Sequence, residues 1–156
     1  MKGVRGQFPL TIDTKGRLTL PAKVRDCLTN RGASQLILTN YKGSLWGYIE
    51  EDWVRYEDAL MAFSPFEQES LEFTHGFIAG ASECEVDRQG RILIPPVLRR
   101  YAGLDKSRDV VLTSVMDRLE IWNRERWEKV HAAAIERLDQ TGGPREIIIG
   151  KLRGRE

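Results

Sequence analysis

The chain says the same thing twice. Asp13-Thr-Lys-Gly-Arg17 recurs as Asp87-Arg-Gln-Gly-Arg91, and the offset of 74 persists without a gap. It pairs Pro21 with Pro95, Arg25 with Arg99, Leu36-Ile37-Leu38-Thr39 with Val110-Val111-Leu112-Thr113, Leu45 with Leu119, Tyr48 with Trp122 and Trp53 with Trp127. One matching pentapeptide arises easily by chance; a register held from strand through helix to tryptophan does not. Such a duplication builds either two small bodies or one body with internal two-fold symmetry.

Each copy reads the same way. Alternating apolar residues (Phe8, Leu10, Ile12; then Cys84, Val86) predict a half-buried strand. A glycine-containing turn leads to a second alternating strand, Arg17-Leu-Thr-Leu20 or Arg91-Ile-Leu-Ile94. Pro21 or Pro95 suits the first turn of a short helix reaching about Leu28 or Tyr101. Two strands follow, near 35–39 and 44–49, matched by 109–113 and 118–122. A longer helix closes each copy, with Trp53, Tyr56, Leu60 and Phe63, or Trp127, Val130, Ala134 and Leu138, at helical spacing. That stripe predicts core or subunit interface rather than a cofactor site.

Hairpins of this length cannot bury both faces alone, whereas two interleaved units can. The expected fold class is therefore α+β: duplicated hairpin modules forming a small barrel, or two half-barrels, with flanking helices and a pseudo-two-fold within the chain. The boundaries are 5–53 for the first repeat, 54–80 for a helical linker, 81–127 for the second repeat and 128–156 for a C-terminal helix and tail. In the linker, Ser64-Pro65-Phe66-Glu67 has the form of a capping box, and Gly80 is expected to stop the helix. The tail from Gly142-Gly143-Pro144 is expected to be loose apart from Ile147-Ile148-Ile149.

Charge is distributed unevenly beneath a formal net of +1. Residues 1–31 carry seven Lys and Arg against two Asp, while residues 44–75 carry one Arg against eight Asp and Glu. A basic end and an acidic middle can aim one face at a polyanion. The two cysteines, Cys27 and Cys84, show no metal-ligand spacing and suit a reducing cytosol. His75 and His131 are isolated, and neither a phosphate-binding glycine loop nor a nucleophile elbow is present. The sequence thus predicts no enzyme, no catalytic residue, no metal, no cofactor, no small-molecule substrate and no membrane segment.

The candidate site is the repeated turn. Gly16 and Gly90 supply the positive φ a tight turn needs, and Asp13 and Asp87 can accept bonds from turn amides. Arg17 and Arg91 leave the turns at the start of the next strand, with Lys15, Arg88 and Gln89 at the tips. In isolation each turn is a sound hairpin whose Asp and Arg pair. A two-fold pair, however, would bring both arginines to one surface, flanked by Lys15, Arg88 and by Lys2 and Arg5. Guanidinium forks of this kind bond the O6 and N7 of guanine, while lysines neutralise phosphates. The expected DNA-binding residues are Lys15, Arg17, Arg88 and Arg91, and the expected turn-forming residues are Asp13, Gly16, Asp87 and Gly90.

The pairing of DTKGRLTLPAKVR with DRQGRILIPPVLRRYAGL, followed by EIWNRERW, closely resembles the MraZ family of bacterial transcriptional regulators, whose repeats are of the swapped-hairpin class typified by AbrB. The resemblance runs from about Arg5 to the helix after Trp127. It implies a cytoplasmic, nucleoid-associated regulator of the division and cell-wall gene cluster, acting on repeated sites in its own promoter. It also implies double-stranded DNA as partner and ring-shaped homo-oligomers. In that reading the arginines touch DNA and the aspartates hold the turns. Two features depart from the family pattern: a longer start before Arg5-Gly6, and the acidic residues Glu67, Glu69 and Glu72 in the linker. The alternative is a non-enzymatic protein-interaction scaffold using the acidic surface from Glu50 to Glu72.

Overall fold

The strand register shows how the two repeats combine. The computed structural model describes residues 1, 3–63 and 66–153. The first repeat supplies β1 (Gln7–Thr11), β2 (Arg17–Thr19), α1 (Ala22–Asn30), β3 (Gln35–Tyr41), β4 (Ser44–Tyr48) and α2 (Glu50–Met61). The linker supplies α3 (Gln68–Phe73) and a π-helical turn (Thr74–Ile78). The second repeat supplies β5 (Ser82–Glu85), β6 (Arg91–Leu93), α4 (Pro96–Tyr101), β7 (Asp109–Val115) and β8 (Arg118–Asn123), followed by α5 (Arg124–Thr141) and α6 (Arg145–Arg153).

Within each repeat β3 pairs with β4 and β7 with β8, and every other ladder crosses between repeats. The main sheet runs β1-β7-β8-β4-β3-β5, and β2 and β6 form a separate two-stranded ribbon. β1 of the first repeat pairs with β7 of the second, and β5 of the second pairs with β3 of the first. The central ladder places Trp46 opposite Glu120, with Leu45 facing Ile121 and Gly47 facing Leu119. In the ribbon Leu18 faces Ile92. Both central pairs join residues 74 apart, so a pseudo-two-fold axis passes through them. Among the described residues the ladder is not one closed barrel: β1 and β5 end the sheet, and the ribbon stands as its own ladder.

Two cores sit on the two sheet faces, as the strand alternation requires. Leu36, Leu38, Leu45, Val110, Leu112, Leu119 and Ile121 meet Leu18 and Ile92 of the ribbon, with Val24 of α1 and Leu98 of α4 closing the layer. On the opposite face Ile37, Tyr48 and Trp53 gather around Phe77. Phe77 stacks on Phe73 at 4.7 Å and on Trp53 at 5.4 Å between ring centroids. The π-helical turn that carries Phe77 shifts carbonyls out of the helical ladder, and side chains of β3 reach them. Thr39 Oγ1 donates to the Phe77 carbonyl at 2.5 Å, and Asn40 Nδ2 donates to the Gly76 carbonyl at 2.8 Å. An unusual helical turn thereby keeps its acceptors satisfied.

Three expectations change. Pro21 and Pro95 sit at the N-caps of α1 and α4, one place earlier than expected, with Pro96 taking the first turn of α4. The proposed capping box lies partly on Ser64 and Pro65, outside the described residues; α3 starts at Gln68, with Glu67 at its N-cap rather than inside the first turn. The C-terminal stretch is not loose throughout, because Arg145–Arg153 forms α6.

The chain divides into two compact units, Met1–Arg124 and Glu125–Glu156. In the second unit Trp127 stacks on His131 at 5.0 Å, and α5 has no buried residue. No helix among the described residues is long and apolar enough to cross a membrane.

Candidate nucleic-acid interface

Both repeated turns close in the same way. Gly16 and Gly90 adopt φ of 86° and 76°, the left-handed region that a side chain resists. In the first turn Asp13 Oδ1 accepts the amides of Lys15 and Arg17, each at 2.9 Å. Its Oδ2 accepts Arg17 Nε at 2.6 Å. In the second, Asp87 Oδ1 accepts the amides of Gln89 at 2.9 Å and Arg91 at 3.0 Å, and Oδ2 accepts Arg91 Nε at 2.8 Å. The Arg17 backbone amide, followed by its guanidinium, pulls the Asp13 carboxyl down to about 2 despite some desolvation. Asp87 is lowered for the same reason, with the Arg91 amide foremost.

Each arginine therefore spends only its Nε on its aspartate. Among the described residues, the Nη groups of Arg17 and Arg91 donate to no protein acceptor. The side chains are 31% and 25% exposed. An aspartate that holds Nε also restricts the plane of the fork.

The ribbon then brings the two forks together. Antiparallel register sets Arg17 opposite Leu93 and Thr19 opposite Arg91, while Leu18 and Ile92 point into the core with no exposure. Arg17, Thr19, Arg91 and Leu93 consequently share the outward face. The arginines lie on a diagonal across it, at about 7–8 Å between backbones. Cross-repeat bonds lock this arrangement: Leu20 N donates to the Gly90 carbonyl at 2.9 Å, and Ile94 N to the Gly16 carbonyl at 3.0 Å. Lys15 and Arg88 are exposed on the two turn tips, at opposite ends of the ribbon. Arg5 precedes β1 and stands at the end remote from the turn, about 20 Å away by strand length. It does not flank the arginine pair. Lys2 lies outside the described residues.

Sequence reasoning missed one further pair. Arg25 on α1 and Arg99 on α4 cross to the opposite repeat and lie against its glycine. A Cβ added to Gly16 would come within 2.6 Å of Arg99 Cζ, and one added to Gly90 would run into Arg25 Cδ. Arg99 is anchored by an Nε bond to the Ile94 carbonyl at 3.0 Å. The signal was present in the 74-residue offset, which relates these arginines. Their position on helices, however, gives no sign that they reach a turn of the other repeat. In the folded chain each turn carries its own arginine and borrows a second.

The acidic middle is partly neutralised from within. Arg31 binds Asp52 Oδ2 at 2.8 Å and Glu51 Oε2 at 2.7 Å, and Asp52 is buried. Those carboxylates head α2, where negative charge suits the helix dipole. They brace α1 against α2 and leave less acidic surface than the sequence suggested.

Comparison with known proteins agrees with the geometry. The family model described as "MraZ protein, putative antitoxin-like" matches residues 4–75 and 77–141, one match for each repeated turn. A protein named transcriptional regulator MraZ from Lachnoclostridium phytofermentans is 42% identical over 123 residues, covering 79% of this chain and 83% of its own length. The protein of the same name from Heliobacterium modesticaldum is 42% identical over 129 residues, covering 83% and 87%. That from Thioalkalivibrio sulfidiphilus is 37% identical over 145 residues, covering 92% and 95%. With the same turn built twice and a family match across both, this chain belongs to the MraZ family.

Proposed function

We propose that the chain is a sequence-specific DNA-binding transcriptional regulator that lays the β2–β6 ribbon in the major groove. The observation that carries this reading is the shared outward face of Arg17 and Arg91, with their Nη groups uncommitted. A two-stranded ribbon is slim enough for the groove, and a guanidinium fork matches guanine O6 and N7. Lys15 and Arg88 at the ribbon ends are placed to neutralise phosphates on either side. Arg25 and Arg99 reinforce both turns with further positive charge. Asp13, Gly16, Asp87 and Gly90 hold the turns and do not themselves read bases.

In this reading residues 5–53 and 81–127 act as paired AbrB-like swapped-hairpin modules, with 54–80 as a helical linker and 128–156 as C-terminal helices. Its targets are repeated promoter sites of the division and cell-wall gene cluster, engaged by a ring of subunits at the nucleoid. A ring offsets the near-zero net charge, because each later contact is intramolecular and avidity rises by about 10²–10⁴.

The test is a mobility shift on the chain's own upstream DNA. Arg17→Ala and Arg91→Ala are each expected to lower affinity by at least tenfold, with subunit number unchanged by light scattering. Full affinity in the double variant would remove the ribbon from the mechanism. Binding by a protein partner that depends on Glu50, Glu57 and Glu69, with no DNA shift at low salt, would instead establish the scaffold alternative.

A further inference from the structure

The internal two-fold relates Arg17 to Arg91, but it relates Thr19 to Leu93. The arginines on the outward face are therefore equivalent and their neighbours are not. Leu93 is 56% exposed, while the residues beside it in the strand, Ile92 and Ile94, are fully buried. The next outward difference repeats the pattern: Lys23 on α1 corresponds to Val97 on α4, and Val97 is 63% exposed. One half of the surface is polar and basic where the other is apolar.

A single exposed leucine needs no explanation in general. This one sits directly across the ribbon from Arg17, at about 4.5–5.5 Å between Cβ atoms. Thymine alone among the four bases presents a methyl group in the major groove, and an apolar side chain is its natural contact. The threonine beside Arg91 carries a hydroxyl that bonds donors or acceptors alike.

We propose that Leu93 is a specificity-determining residue that contacts the C5-methyl of a thymine next to the base pair held by Arg17. The chain thus reads two guanine contacts in unequal halves: the Leu93 half gains most from a thymine methyl, and the Thr19 half, with one methyl beside its hydroxyl, gains less. The inference rests on the DNA-binding reading above and adds to it a polarity that a symmetric ribbon would lack. A chain with this surface has a preferred direction on an otherwise two-fold related site.

The experiment starts from a random-sequence duplex library selected by the full-length wild-type protein. Each thymine of the selected duplex is then replaced by deoxyuridine, which removes the methyl and nothing else. Wild type is expected to lose about fourfold in affinity at one thymine of one half, the equivalent of one buried methyl-sized group. Leu93→Ser, which keeps no methyl, is expected to bind thymine and deoxyuridine duplexes equally, and Thr19→Leu to acquire a larger penalty in the other half. Both positions are exposed, and urea unfolding of each variant checks that the fold is kept. An unchanged deoxyuridine penalty in Leu93→Ser, or none in wild type, would overturn the proposal while leaving DNA binding standing. Failure of wild type to select any duplex would overturn the DNA-binding reading and this inference together.

Discussion

A carboxylate accepting three hydrogen bonds within one turn resists protonation. Asp13 does so, and its carboxyl falls to about 2. The unfolded value is about 3.9, so what this carboxylate contributes is fully present above roughly pH 4 and is lost as pH falls through about 2. Carboxyl NMR is expected to show Asp13 titrating near 2; a midpoint close to 4 would mean the Arg17 bonds do not persist in solution. Asp13→Asn should keep an acceptor for the two amides but face Arg17 Nε with an amide donor or a weaker neutral acceptor. Loss of DNA affinity together with a lowered urea midpoint at neutral pH is the expected signature. At this scale the sequence was informative wherever the chemistry was local. Asp, Gly and Arg spaced within five residues announce their own turn. Arg25 and Arg99 escaped notice because each serves a turn in the other repeat, and helical position alone cannot reveal that.

Elements tell a similar story about local and distant causes. The strands and short helices follow from alternation, proline and glycine, and they appear close to where those signals place them. Gly16→Ala would combine positive φ with intrusion on Arg99, and should cost more than about 1 kcal/mol in chemical denaturation. A neutral result would show that Arg99 swings freely aside. The π-helical turn had no sequence signature, since its carbonyls are satisfied by Thr39 and Asn40 on a distant strand. Thr39→Val leaves the Phe77 carbonyl without its buried donor and is expected to destabilise by about 1–3 kcal/mol, read from the urea midpoint. The α6 helix was missed for another reason. Three consecutive isoleucines, Ile147 to Ile149, obscure helical periodicity, and the glycines before them read as the end of order.

At the scale of the molecule, the duplication was legible and interleaving was expected, but which strands cross was not. Offset alone does not say whether β1 returns to its own repeat or crosses to the other, because both registers satisfy the same alternation. The crossing explains why one chain holds one arginine pair rather than two separate hairpins. It also predicts the behaviour of half a chain. Residues 1–80 lack β5, β6, β7 and β8, so this fragment is expected to fold only as a dimer in which a second copy takes the missing positions. Sedimentation with circular dichroism over a range of concentrations would test it, and a folded monomer would contradict the crossed pairing. DNA binding by the intact protein should weaken linearly in log affinity with log salt, with a shallower slope for Lys15→Ala, whose proposed part is phosphate neutralisation.

The bond from Thr113 to the Gly6 carbonyl joins residues 107 apart in sequence. β1 must therefore wait for β7, about a hundred residues later in synthesis, before it finds its ladder. During synthesis the early half exposes an unpaired edge and only half of the ribbon. A message cut short before β7 still encodes both ribbon strands, but it leaves β1 without β7 and β4 without β8, so the guanidinium pair would stand on a sheet that has lost its central ladder.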